Sequence, residues 1–210
     1  MPSNFLNFAV ADSVLQAQKH YYGSSQPAAH APARDSLTEE EIRFIGTRDS
    51  FYLSTITETG WPYIQHRGGR AGFLRVVNPQ ALAFADYQGN RQMLSTGNLA
   101  ANSRVALFLM DYPQRARLKI LGHARVEDAK LHPDLVRQMA EPDAQRIVER
   151  LFFIDVVAFD WNCPKYIAPR YTKEEIEELV APLKERIADL EAKLRNPPAP
   201  LAPSTRGNLA

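Results

Sequence analysis

FYLSTITETGWPYIQHRGG, Phe51 to Gly69, is the stretch on which the reading of this chain turns. Phe51–Ile56 is rich in aromatic and β-branched residues. Thr57–Gly60 (TETG) has turn chemistry, and Pro62–His66 resumes the extended pattern, which together signal a β-hairpin. Moving outward, Phe73–Val77, a turn at Asn78 and Pro79, and Leu82–Ala85 form a second strand pair. Arg91–Ala101 reads as a short helix with Met93, Leu94 and Leu99 on a partial apolar face. Val105–Met110 and Leu118–Val126 are further strands, a helical stretch is expected near Pro133–Leu151, and Phe152–Phe159 is a last strong strand. Six or seven closely spaced strands with few helices between them argue for a mainly β fold, an antiparallel barrel with peripheral helices.

The flanks differ from this middle. Residues 1–34 read as an N-terminal extension, with an amphipathic stretch near Val10–His20 followed by the linker-like GSSQPAAHAPA. Ser36 with Glu39, and Thr38 with Glu41, both match a capping box, so a short helix is expected to run to about Ile45. The barrel domain is assigned to 35–171 and a C-terminal helix to 172–196. That helix opens on a capping box, Thr172 with Glu175, and closes on Lys193 and Arg195, so both ends complement the helix dipole. Val180, Leu183, Ile187, Leu190 and Leu194 form one apolar stripe, which Pro182 is expected to break or kink. Two heptads are short for a free-standing coiled coil, and packing on the barrel is an equal alternative. Residues 197–210 are expected to be disordered.

Composition narrows the functional classes. Hydrophobic residues make up 45% and charged ones 23% of the 210 residues, an ordinary globular balance. No apolar run is long enough to span a membrane, the opening MPSNFLNFAV lacks the basic leader of a secretory signal, and a single cysteine precludes an internal disulfide. A cytoplasmic protein is the expectation. The net charge is +1, but Trp61–Arg125 holds nine basic residues (Arg67, Arg70, Arg75, Arg91, Arg104, Arg115, Arg117, Lys119, Arg125) against Asp86 and Asp111. Such a basic middle suits a local anionic ligand, or else outward-facing strand arginines, better than a nucleic-acid surface, since aromatics are not interleaved with the arginines. No dinucleotide fingerprint, Walker loop, nucleophile elbow or metal-ligand spacing is present. Cys163 reads as a small apolar residue rather than a nucleophile.

Two basic clusters remain: Gln65, His66, Arg67, Gly68, Gly69 and Arg70 at a strand end, and Gly89, Asn90, Arg91 and Gln92 at a strand-to-helix junction. Backbone N–H groups at a helix start favour an anion, and Arg91 adds a planar fork suited to phosphate. Arg70 could equally be an exposed bend residue and His66 a cap on the sheet edge.

The segments ITETGWPYIQHRGG, LAFADYQGNRQM, NSRVALFLMDY and RLKILGHARV, in that order, resemble the pyridoxamine 5'-phosphate oxidase-like family of FMN-binding split barrels. The resemblance implies a homodimeric split barrel with FMN at the subunit interface, and flavin-dependent oxidoreductase chemistry on an unidentified small substrate. It assigns cofactor contacts to Gln65, His66, Arg67, Gly68, Arg70, Asp86, Asn90, Arg91 and Gln92, and to Arg117 from the partner subunit. It also sets Trp161 and Arg170 beside a family tryptophan–arginine pair, at a different spacing. Where the family has a phosphate-binding lysine this chain has Gln92, and the arginine–leucine–histidine substrate motif of the true oxidases is not evident. A non-catalytic flavin- or haem-binding carrier, sensor or stress protein is therefore the alternative. No residue is assigned as general acid or base.

Overall fold

Alternation along the hairpin sets the architecture. In Ser50–Ile56 (β1), Phe51, Leu53 and Thr55 are buried while Tyr52 is exposed. In Pro62–Gly68 (β2), Tyr63, Gln65 and Arg67 are half-buried while Pro62, Ile64, His66 and Gly68 face out. The two strands pair antiparallel from Ser50↔Gly68 to Ile56↔Pro62. The computed structural model describes residues 4–28, 33–161 and 164–195, so Cys163 and the tail expected to be disordered lie outside the described residues. The chain divides into two units, Met1–Ala168 and Pro169–Ala210.

In the first unit, Arg75–Asn78 (β3), Ala81–Tyr87 (β4), Arg104–Asp111 (β5), Ala116–Asp128 (β6) and Val148–Trp161 (β7) join the hairpin in one seven-stranded antiparallel sheet. Its order is β2-β1-β5-β6-β7-β4-β3. The sheet is open, because β2 and β3 are its two edges. It is nevertheless rolled: Phe51 of β1, second in the order, stacks on Phe73 at 5.6 Å and meets Phe84 of β4, sixth in the order, edge-on at 5.4 Å. The rolled interior is filled by Leu53, Leu107, Leu109, Leu118, Ile120 and Ile154, each at most 1% exposed. Burying each such side chain contributes about 1.5–3 kcal/mol. This is a split barrel: one sheet curved around a main core, with a smaller cluster about Ala85, Val136 and Leu151, and a seam where β2 approaches β4 without a shared ladder.

Helices fill the corners. Phe5–Ala9 (α1) and Asp12–Tyr22 (α2) precede the sheet and bury no residue; Gly23 ends α2 in the left-handed region at φ 73°. Glu39–Gly46 (α3) starts at Thr38 with both halves of the capping box formed. Glu41 also accepts a 2.6 Å hydrogen bond from Trp161 Nε1, and Trp161 meets Phe44 edge-on, which pins α3 to the end of β7. Burial pushes the Glu41 carboxyl up, but the hydrogen bonds from Thr38 and Trp161 outweigh it and hold the group below its usual 4.5.

Two expected helices differ. Leu94–Ala101 (α4) excludes Arg91–Met93, because Arg91 and Met93 sit in the left-handed region at φ 60° and 58°. The stretch near 133–151 is helical only over Pro133–Met139 (α5). A short 3-10 turn at Gln145–Ile147 then leads into β7, which starts at Val148. Pro142 accounts for the stop, since it lacks an amide and disfavours helical backbone in the residue before it.

The second unit contains Lys173–Arg195 (α6), a helix of 23 residues. Its capping box is formed: the Thr172 amide donates to Glu175 Oε2 at 2.7 Å and the Glu175 amide to Thr172 Oγ1 at 3.2 Å. Of the break or kink expected at Pro182, the break does not occur: the helix continues through it. Proline removes a single amide donor there, and the intact turns on either side carry the helix past the gap.

Candidate functional site

The seam places the inward face of β2 opposite the end of β4. Arg67 NH1 of β2 is ion-paired to Asp86 Oδ1 of β4, although the two strands are first and sixth in the sheet order. Asp86 is cross-strand from Arg150 of β7, whose Nε and NH2 reach Asp86 Oδ2 at 2.9 and 2.8 Å. One aspartate thus holds two guanidiniums, and all three side chains are no more than 17% exposed. The Arg67 guanidinium also lies over the rings of Phe152 at 5.0 Å and Phe84 at 5.5 Å. Its Nε is buried without a partner among the described residues.

Above this triad the chain leaves β4 through Gln88–Met93 into α4. The Gln92 amide donates to Asn90 Oδ1 at 3.1 Å, an Asx turn that shapes the loop. Left-handed backbone at Arg91 and Met93 costs roughly 1–2 kcal/mol at each. No side chain caps α4, so the amides of its first turn have no side-chain acceptor. The helix is stitched to the hairpin instead: Ser95 Oγ donates to Gln65 Oε1 at 2.7 Å, and Asn98 Nδ2 to Thr55 Oγ1 at 2.9 Å. The start of α4 therefore cannot drift from β2.

These elements enclose a cleft of about 210 Å³ lined by Gln65, Arg67, Asp86, Asn90, Arg91 and Gln92, with Tyr63, Tyr87, Ser95, Thr96 and Arg150 among the other walls. Three arginines face one aspartate. An uncapped helix start, hydroxyls and an orphaned guanidinium N–H make a donor-rich, positive cleft that fits a phosphate monoester. Tyr87 is kept protonated by burial, and secondarily by the nearby Glu141 and Asp143, so its phenol stays a donor. A larger groove of about 1100 Å³ shares Arg91, Met93, Thr96 and Arg150 with the cleft and continues past Arg125, Lys130 and Arg146.

Six of the ten residues singled out from the sequence thus line one cleft, and four do not. His66 and Gly68 alternate away from it on β2. Arg70 is exposed and paired with Glu141 at 3.2 Å. Arg117 lies on β6, outside the cleft, with its Nε buried and unpartnered among the described residues. Trp161 is engaged by Glu41, and Arg170 belongs to the second unit. Arg150, Ser95 and Tyr87 were not anticipated. Arg150 fell inside the stretch read as helix, although its position just before an unbroken β-forming run was a usable signal. Among the described residues no cluster of His, Cys, Asp and Glu could hold a metal ion, and no helix is long and apolar enough to cross a membrane.

Solved structures with similar folds include HupZ of Group A Streptococcus (13% identity, 64% of this chain and 99% of that one, TM-score 0.47). General Stress Protein 26 of Bacillus anthracis is similar at 17% identity, covering 58% of this chain and 91% of that one, with TM-score 0.43. HutZ, a haem-storage protein of Vibrio cholerae, is similar at 18% identity, covering 57% and 90%, with TM-score 0.41. No curated protein matches the chain. Residues 37–153, more than half of the chain and nearly the whole rolled sheet, match the family described as pyridoxamine 5'-phosphate oxidase. By that match, this chain belongs to the pyridoxamine 5'-phosphate oxidase family.

Proposed function

We propose that the protein binds FMN with its phosphate in the seam cleft and serves as an oxidoreductase toward a small organic substrate. The observation that carries this reading is the convergence of Arg67, Arg91 and Arg150 on the uncapped start of α4, with a single aspartate among them. When bound, FMN supplies the electron and hydride chemistry. The chain's part is to bind and orient. Arg91 and the first amides of α4 would grip the phosphate, Ser95 and Thr96 would add hydroxyl donors, and Gln65 would be held in position by Ser95. The Asp86 pairs fix the orientation of Arg67 and Arg150 in the cleft wall, where they would add positive potential to the phosphate site. The adjoining groove offers space for the rest of the cofactor and for a substrate. A homodimer is part of the proposal, supported by the Arg117 Nε, a buried donor that finds no acceptor among the described residues.

The purified protein is expected to be yellow, to release FMN on denaturation, and to have its flavin reduced by NAD(P)H and reoxidised by an acceptor. Flavin that no physiological donor reduces would make it a carrier or sensor. Bound haem would overturn the cofactor assignment. Arg91→Ala is expected to weaken FMN about tenfold or more, from the loss of one charge-assisted hydrogen bond, at unchanged thermal stability. A titration with equal affinity in the two proteins would remove Arg91 from the site.

A further inference from the structure

The stripe along α6 is a heptad seam. With Val180 at position a, the a positions are Val180, Ile187 and Leu194, and the d positions are Ile176, Leu183 and Leu190. No residue of the helix is buried, and the seam side chains other than Val180 are between 43% and 81% exposed. Pro182 falls at position c, on the side away from the seam, so its missing amide bond does not interrupt the apolar row.

We propose that α6 pairs with α6 of a second copy of this chain as a parallel, in-register, two-stranded coiled coil. Two independent features select this occupant. The first is core shape in the four central layers: β-branched Val180 and Ile187 at a, with Leu183 and Leu190 at d, is the combination that favours two parallel strands over three or four, and only the end layers, Ile176 and Leu194, depart from it. The second is charge at the flanking positions. In a parallel pair each g residue meets the e residue five places on in its partner, which joins Arg186 to Glu191 twice and lays the Lys184 stem over Leu179. An antiparallel pair would preserve the same apolar layers, with Ile176 on Leu194, Val180 on Leu190 and Leu183 on Ile187. But it would set e against e and g against g: Lys184 on Lys184, Arg186 on Arg186 and Glu177 on Glu191. Every charged contact is then repulsive, so the flanks discriminate orientation where the core does not. Arg186 and Lys193 already bridge to Asp189 on the same helix, each at 2.9 Å, which holds Arg186 beside the seam without consuming its second nitrogen.

Six apolar layers make a short coil, and association costs several kcal/mol of lost freedom. The pairing is therefore expected to be weak between free chains and effective between chains already joined through another surface, where the local helix concentration is high. It does not depend on the flavin assignment.

The test uses the full chain with Cys163→Ser and a single new cysteine. Leu190→Cys or Leu183→Cys is expected to give a covalent dimer on mild oxidation, because identical d residues face each other within disulfide reach in a parallel pair. Ala192→Cys, on the outer face, is expected to cross-link several-fold less. Adding Arg186→Glu to Leu190→Cys is expected to lower the yield several-fold at low salt, and Arg186→Glu with Glu191→Arg to restore it. A dimer by light scattering in which neither d-position cysteine cross-links would overturn the coil while leaving the homodimer intact. Cross-linking of a Val180→Cys and Leu190→Cys mixture, but of neither alone, would make the pair antiparallel and overturn it equally.

Discussion

Asp86 carries two guanidiniums in a place where water does not reach freely, and the pairing is asymmetric in its consequences. Removing either arginine leaves the aspartate with one partner, whereas removing the aspartate leaves Arg67 as a desolvated cation against Phe84 and Phe152, while Arg150 keeps only Glu149 at 2.9 Å. Asp86→Ala is expected to cost about 3 kcal/mol or more, read as a lower urea midpoint. An unchanged midpoint would show that the triad is solvated. Glu41 makes a different prediction. Its folded-state carboxyl is depressed despite burial, so its anionic form stabilises the fold above about pH 4.5, and that stability is lost as pH falls through the lowered value. Glu41→Gln is expected to flatten the acid limb of the stability–pH curve and to cost about 1 kcal/mol at neutral pH, through one weakened hydrogen bond. Arg91 could be singled out from the sequence as a charged residue at a strand-to-helix junction, and Asp86 through the family resemblance. For Arg150 the sequence signals only a place at the start of a strand, because its pairing with Asp86 comes from a cross-strand register that exists only once β4 and β7 are paired.

At the scale of elements, the hairpin β1–β2 was readable in full, since a two-residue period and a glycine turn are both local signals. The boundary between α5 and β7 was not. Leu135, Val136 and Met139 fit a helical face, and the sequence after them has no period strong enough to mark where extension begins at Val148. The bulge between Leu121 and Gly122 was equally invisible, because it answers to a neighbour in β7. A Cβ on Gly122 would stand 2.8 Å from both the Asp155 carbonyl oxygen and Ile154 Cγ2. The carbonyl belongs to the ladder and cannot retreat. Gly122→Ala is therefore expected to destabilise by about 1–3 kcal/mol, measurable as a drop in Tm, while FMN affinity is unchanged.

For the whole molecule, the sheet order predicts where the fold is firm. β6 and β7 are the longest strands, each paired along both sides, whereas β2 and β3 are edges. Amide exchange followed by mass spectrometry is expected to be slowest in β6 and β7 and fastest in β2 and β3; uniform protection across the seven strands would contradict this. The family and the rolled sheet were foreseeable from the order of a few short segments. The seam chemistry was foreseeable only in part, because it is made where the two ends of the sheet meet. One arm of that seam is β2, whose side chains alternate between the cleft and the outside. Point mutations can therefore retune the cleft one group at a time, but losing a single codon within 62–68 is a change of another kind. Unless a bulge absorbs the slip, His66 would inherit a cleft-facing position while an arginine or a glutamine turned outward. Across generations, this strand can be respelled letter by letter but not shortened.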